Sequence, residues 1–528
     1  MSGNLFDAVL LDRDGTLVVD VPYNGDPDAV VPMPGARAAL DRLRAAGLRL
    51  GVVTNQSGLA RGRFTAEQMA AVNRRVEELL GPFGTWQICP HDETAGCGCR
   101  KPAPGLIAAA ASALGTVPAR CVMVGDIGRD MDAALAAGAT GILVPTDVTL
   151  AGEVLAAPHL ATGLGAAADL ILRRRELLEP APAGDGRPTG GTVLAVRSDS
   201  AGDVLVTGPA VRALAAGADR VVLLCGPRGR DAAGLLPGVD EIIEWRLPWI
   251  DPEPAAVDDG DMRALAARLR EIRADQAVIF TSFHQSALPL ALLMRMAGIP
   301  RITAISDDYP GSLLDVRHRV PDDLPEPERA RSVAAAAGFG LPESDDGRLR
   351  VTVPPVPRGG YLVVHPGASC EARACPPENL RRIVAALAAD GHRVVVTGGP
   401  GERHLAGYVA GTTGVDAGPI PLRDLATLIA GAGALIVANT GPAHLAAAVG
   451  TPVISLYAPT VPFGRWGPYR VPTVRLGDPA AGCRDSRATR CPVPGHPCLS
   501  GIEPDQVRTA VRRLGVTARQ PNLGEVAA

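Results

Sequence analysis

At 528 residues the chain is longer than one hydrophobic core usually organises, so two or three domains are expected. Hydrophobic residues at 47% and charged residues at 20% suit layered α/β domains and exclude a disordered or fibrous chain. With 3% aromatics and a formal charge of −4 the chain has neither stacking platforms nor a basic field, which excludes nucleic acid as a partner.

Residues 1–14 lack the basic run, long apolar core and small-residue cleavage site of a signal peptide, and no apolar run reaches membrane-spanning length. A cytoplasmic protein with no integral membrane segment is expected. Apolar strand-like runs alternate with Ala/Leu/Arg-rich helical stretches throughout, as in AVLLD, ARAALDRLRAAG and LRLGVVTN, the pattern of β-α units on parallel sheets. Residues 161–172 read as a last helix, and the charged stretch after them dissolves into Pro, Gly and Asp. This places a first domain at 1–175 and a linker at 176–191. A second Pro-rich stretch, 353–360, divides the remainder into 192–355 and 356–528.

The first strand ends in Asp12-Arg13-Asp14-Gly15-Thr16, two carboxylates one residue apart before a glycine turn. Such a pair can converge on one phosphorus and one metal, with Asp12 as nucleophile and Asp14 as the general acid/base that protonates the leaving oxygen and then activates water. A polar strand-end turn is the bland alternative, and the motifs that follow count against it. Thr54-Asn55-Gln56, Arg100-Lys101-Pro102 and Gly125-Asp126, with Asp130 beyond, come in the order that phosphoryl chemistry needs. Thr54 supplies a hydroxyl to the phosphoryl oxygens, Lys101 a point charge, and Asp126, with Asp12 and Asp14, hard oxygen ligands for Mg²⁺. Asp130 reads equally as support for the metal and as a helix cap. Cys89, His91, Cys97 and Cys99, spaced C-x-H and C-x-C, offer four soft ligands for a closed, structural Zn²⁺ site.

This half resembles the haloacid dehalogenase superfamily, in the branch of the histidinol and D-glycero-D-manno-heptose 1,7-bisphosphate phosphatases. The resemblance rests on residues 54–62 and on the Cys89-Pro-His91 and Cys97-Gly-Cys99-Arg100-Lys101-Pro102 runs. It implies that Asn55, Gln56, Arg100 and the zinc loop contact a sugar phosphate. Only about 40 residues separate Asp14 from Thr54, too few for a separate lid domain, so short loops select the substrate. Ile127 stands where relatives often carry Lys, with Arg129 nearby.

The second half opens on a strand at 192–196, and Asp203 then falls at a helix start, as a general base or as a cap. Three loops follow later strands: His365-Pro-Gly-Ala-Ser369, Gly398-Gly-Pro-Gly-Glu402 and Asn439-Thr440-Gly441-Pro442-Ala443-His444, the last offering free backbone N–H groups to a diphosphate. The set resembles glycosyltransferase family 9, the bacterial heptosyltransferases, across about 192–514. That resemblance implies a GT-B architecture of two Rossmann-like domains, with Asp203 as base toward a glycan or small-molecule acceptor. It further implies Glu402 on the ribose, and Ser369, Arg373 and the 439–444 segment on an ADP- or GDP-heptose donor. Arg373 replaces the family's phosphate-binding lysine, and Asn439 its aspartate. No metal is assigned to Cys483, Cys491, His496 and Cys498, and Trp466 and Tyr469 read as packing residues.

The expected whole is an α/β chain: an HAD-like Rossmannoid domain with minimal cap, then a GT-B transferase. Its expected work is Mg²⁺-dependent hydrolysis of a heptose bisphosphate through an aspartyl-phosphate, plus heptosyl transfer. Alternatives are a histidinol-phosphate or other phosphomonoester phosphatase fused to a non-heptose transferase, and a phosphatase carrying a catalytically silent nucleotide-sugar module.

Overall fold

A computed structural model describes residues 5–182, 190–282 and 284–518. The first sheet contains β1 (Ala8–Leu11), β2 (Arg49–Asn55), β3 (Thr85–Cys89), β4 (Cys121–Gly125) and β5 (Thr140–Leu143), in the order β3-β2-β1-β4-β5. The second contains β6 (Thr192–Arg197), β7 (Arg220–Cys225), β8 (Glu241–Glu244), β9 (Gln276–Ile279), β10 (Ile302–Ile305) and β11 (Val316–His318), in the order β11-β10-β9-β6-β7-β8. The third contains β12 (Tyr361–His365), β13 (Arg393–Gly398), β14 (Val415–Pro419), β15 (Ala434–Ala438), β16 (Val453–Leu456) and β17 (Thr473–Leu476), in the order β14-β13-β12-β15-β16-β17.

The central pairings are parallel in all three sheets. Strands β1, β4, β6, β12 and β15 are buried along most of their length, which is why they read as continuous apolar runs rather than alternating ones. In each sheet the strand order reverses between two neighbours: β1 and β4, β6 and β9, β12 and β15. At these points Asp12 and Asp126 follow β1 and β4, the run from Arg197 to Asp203 begins at the end of β6, and His365 and Asn439 end or follow β12 and β15.

The second and third layers share one apolar cluster. Val204 and Val211, from the helix Ala201–Ala215, pack in it with Val333 and with Ala443 and Leu445 from the helix Gly441–Val449. The helix Ala201–Ala215 is buried almost all round and so lacks a polar stripe.

The last helix of the first domain runs Leu164–Glu176 rather than 161–172. Its added turn carries Arg173, Arg174 and Arg175, of which Arg174 is buried against the following domain, so the charged stretch just before the expected linker is still helix. Residues 183–189 of the expected linker lie outside the described residues. No helix among the described residues is long and apolar enough to cross a membrane.

Two buried imidazoles give the fold an acid limit. Burial, with the charge of Arg174 adding, pushes His159 down to about 3; burial and Arg329 push His318 down to about 4. Both values lie below the unfolded value near ~6.5, so their contribution to stability is complete above about pH 6.5 and is lost as pH falls toward 4. Between pH 7 and pH 5 each should remove about 2 kcal/mol, read as a lower urea midpoint. A midpoint that does not move over this range would contradict the burial of neutral histidine.

Candidate functional site

The first site lies at the carboxyl ends of β1, β2 and β4, in a cavity of about 370 Å³ lined by Asp12, Thr54, Arg100, Lys101, Asp126 and Arg129 among others. Asp12 follows β1 and its Oδ1 accepts the Arg13 backbone N–H at 2.8 Å. Gly15 completes the turn at φ +74°, where a Cβ would stand 2.2 Å from Asp126 Oδ2, so only glycine lets the turn and the metal-side carboxylate come this close.

Lys101 is buried among carboxylates, its Nζ 3.0 Å from Asp12 Oδ1 and 2.6 Å from Asp130 Oδ1, and it donates to the Val53 carbonyl at 2.9 Å. Burial works against its charge, but Asp12 and Asp130 outweigh burial and hold its pKa above the ordinary value. Asp12, Asp126 and Asp130 bring carboxylate oxygens within 4.8 Å of one another. Burial, then the neighbouring carboxylates, push Asp126 up to about 8; burial pushes Asp12 up to about 7 against the opposing charge of Lys101. Three carboxylates against one lysine leave an excess of buried negative charge, which a hard divalent cation held by them would relieve.

The structure redistributes several expected roles. Asp14 stays outside the carboxylate cluster: Arg13 Nε and Nη2 donate to its two oxygens at 2.9 Å each, and Gln56 Nε2 donates at 2.8 Å. Its side chain thus faces Arg13 and Gln56 on the cavity wall rather than the three clustered carboxylates. Asp130 is not the residue that precedes the helix Gly128–Ala137 but lies in its first turn. There its carboxylate accepts from Ile127 N at 3.3 Å and also meets Lys101.

Asn55 clasps the Lys101 backbone at both ends of its amide, at 3.1 Å each way, and Gln56 Nε2 also donates to Thr54 Oγ1 at 3.0 Å. Both amides are thus engaged with residues that line the cavity. Arg13, buried and donating also to Asn73, escaped the sequence reading although it stands between the two acids. Glu93 was missed as well: it joins Arg100, at 3.4 Å, to Arg129, at 2.8 Å, on the cavity rim.

Beside this cavity the sulfurs of Cys89, Cys97 and Cys99 stand 3.3 to 3.7 Å apart, with His91 Nδ1 at 3.3 Å from Cys99 Sγ and 3.5 Å from Cys89 Sγ. Ligands at about 2.3 Å around a tetrahedral ion are separated by about 3.8 Å, so the four residues fit closed coordination. Cys89 ends β3, and Arg100 and Lys101 follow Cys99 directly, so the loop that this cluster closes delivers both cations to the cavity.

The second site joins the carboxyl edge of the third sheet to that of the second. Gly202 lies against the start of the helix Gly441–Val449, where a Cβ would come 3.2 Å from His444 Cδ2 and 3.3 Å from Gly441 Cα. Asp203, in the first turn of its helix, accepts from Ser200 N at 3.2 Å, Ser200 Oγ at 2.7 Å and Arg197 Nη2 at 2.9 Å. It therefore does cap, while facing the other subdomain. Burial raises its pKa, but Arg197 and Ser200 prevail and hold it below the usual carboxylate range; burial pushes its neighbour Asp199 up.

Burial also pushes His444 down to about 4, with the charges of Asp203 and Arg373 within reach of it. Asn439 Nδ2, His444 Nδ1 and Arg373 Nε are buried with no hydrogen-bond partner. Thr440 caps the helix Gly441–Val449 without a side-chain bond, its carbonyl accepting the Ala443 N–H at 3.0 Å. Glu402 accepts from Gly399 N at 2.6 Å and lies 3.8 Å from His365, and Ser369 is exposed on the neighbouring loop.

Comparison with known proteins agrees with this division. Residues 98–167 match the HAD-hydrolase-like family and residues 262–495 match glycosyltransferase family 9 (heptosyltransferase). The D-glycero-beta-D-manno-heptose-1,7-bisphosphate 7-phosphatase of Pseudomonas putida is 38% identical over 143 residues, 26% of this chain and 82% of the relative. That of Yersinia pestis is 39% identical over 163 residues, 28% of this chain and 87% of the relative. Among solved structures, the glycosyl transferase family 9 protein of Veillonella parvula DSM 2008 covers 63% of this chain and 99% of its own at 18% identity, with a TM-score of 0.53, a likeness of fold. The chain is thus an enzyme of two parts: it belongs through its first domain to the HAD-like heptose bisphosphate phosphatase family and carries behind it a glycosyltransferase family 9 domain.

Proposed function

We propose that the first domain hydrolyses D-glycero-D-manno-heptose 1,7-bisphosphate to the monophosphate, and that the rest of the chain transfers heptose from a nucleotide-heptose to a glycan or small-molecule acceptor. The observation that carries the first half is the buried set of Asp12, Asp126 and Asp130 around Lys101 in the cavity, in a chain whose relatives are named for that substrate.

Asp12 attacks phosphorus and forms an aspartyl-phosphate, while Asp14, oriented by Arg13 and Gln56, protonates the leaving sugar oxygen and then takes a proton from water. Lys101 and the Thr54 hydroxyl meet the phosphoryl oxygens, and Arg100 and Arg129 on the rim face the rest of the substrate. Asp12 and Asp126 would hold Mg²⁺, which supplies positive charge to the transferring group.

For the second half, the unpartnered Asn439, His444 and Arg373 atoms support a donor diphosphate cradle, with Asp203 as base toward the acceptor hydroxyl. Placement in the cytoplasm is supported by the nucleotide-sugar donor and by ten free cysteines. Titration of the full chain with ADP-heptose and GDP-heptose should show binding of one of them, and binding of neither would contradict the transferase reading.

The four-residue cluster is proposed to hold structural Zn²⁺. Protein purified without chelators should carry about one equivalent of zinc, and Cys97→Ser with Cys99→Ser should lose it together with several degrees of thermal stability. Metal analysis of the parent that finds no zinc would remove the assignment.

A further inference from the structure

The first domain meets both transferase subdomains at two buried nodes. At one, Glu328 on the helix Glu326–Ala336 accepts Arg174 Nε at 2.8 Å and Nη2 at 2.6 Å from the first domain, and Tyr469 Oη at 3.0 Å from the third. Arg174 is 2% and Glu328 1% exposed, so this ion pair has no solvent screening. At the other node, Arg470 of the third domain donates to Leu5 O at 2.7 Å and to Ala119 O of the first domain, and to Asp346 O of the second at 2.9 Å. The Phe6 ring lies between the nodes, 5.1 Å from the Arg174 guanidinium and 6.0 Å from that of Arg470. Next to them Gly138 packs on Val471 and Pro472, and Leu135 packs against the Tyr457, Val461 and Phe463 cluster.

The helix Glu326–Ala336 has charges all round and would ordinarily lie on a surface, yet Glu326, Glu328, Arg329 and Arg331 are all buried. Its charges reach three different places: Glu326 meets Arg465 at 2.6 Å, Glu328 meets Arg174, and Arg329 donates to the Thr281 carbonyl. Domains joined only by a tether meet through wet, weakly held faces and move independently. Buried ions at a domain boundary are tolerated only while every partner is in place, because separation leaves a charge without water or counterion.

We propose that the phosphatase domain is a structural member of the transferase: seated across both transferase subdomains through the Glu328 and Arg470 nodes, it fixes their relative orientation, and the three domains unfold as one unit. Calorimetry of the full chain, alongside thermal inactivation of its activity on p-nitrophenyl phosphate, tests this. One transition is expected, coincident with the loss of phosphatase activity. ADP at a hundredfold excess over its dissociation constant should raise both midpoints together by about 2 °C, although it binds only the transferase half.

Arg174→Met leaves Glu328 buried without its counterion and should lower the single transition and the phosphatase midpoint together by several degrees, while Arg174→Met with Glu328→Leu, which leaves no unpaired ion, should recover most of that loss. Two transitions in the parent, or phosphatase midpoints indifferent to ADP while another transition rises, would overturn the proposal; so would an Arg174→Met variant in which the calorimetric transition and the phosphatase midpoint no longer coincide. If ADP shifts neither midpoint, the donor-site reading fails, and the number of transitions in the parent decides the proposal by itself.

Discussion

Asp12→Asn should lower phosphate release by at least about a thousandfold while the thermal midpoint stays within a few degrees of the parent, because it removes the atom proposed to bond to phosphorus. The amide is nearly isosteric, and its oxygen still accepts from Arg13 N, so the turn at Gly15 survives. Lys101 then keeps only Asp130 as its ionic partner, which relieves rather than adds negative charge in the pocket. The split between a lost rate and a kept fold is what marks a nucleophile; steady-state hydrolysis and a melting curve on the same preparation measure both. Turnover within about tenfold of the parent would remove Asp12 from the chemistry.

Asp203→Asn should reduce heptosyl transfer by about a hundredfold with donor affinity changed less than about threefold. The side-chain oxygen of asparagine can still take the Ser200 backbone N–H, so the helix start is preserved, but the amide cannot accept the acceptor's proton. Asp203 is held ionised by Arg197 and Ser200, which keeps it in the form a base requires, and the unpartnered groups proposed for the diphosphate lie on the other subdomain, His444 on the facing helix, Asn439 just before it and Arg373 on the loop after β12. A residue that only capped would lose little stability and no rate in this substitution, whereas a base loses the rate alone. Transfer at the parent rate would leave Asp203 as a cap.

What could be read from the sequence was what lies next to a strand end. Asp12, Thr54 and Asp126 each end or follow a buried apolar run, and parallel pairing of β1, β2 and β4 carries them to one edge, where the loop after β3 brings Lys101. The same locality fixed the C-x-H and C-x-C cluster. Which partner each side chain then takes is set by tertiary packing: Asp130 reaches Lys101, Arg13 takes Asp14, and Asn55 spends its amide on the Lys101 backbone.

The domain boundary was less legible for a related reason. The run Arg173-Arg174-Arg175 has the composition of an exposed stretch, and Glu326–Ala336 that of a surface helix; Arg174, Glu326 and Glu328 are buried because each finds its counterpart in another domain. Composition records the charge of a residue but not the presence of a partner some 150 positions away.

The most direct test of the account is phosphate release by the full chain from the two anomers of D-glycero-D-manno-heptose 1,7-bisphosphate, with histidinol phosphate alongside. The account predicts one equivalent of phosphate per heptose with a heptose monophosphate left behind, abolished in Asp12→Asn; hydrolysis of histidinol phosphate with neither heptose bisphosphate touched would contradict it.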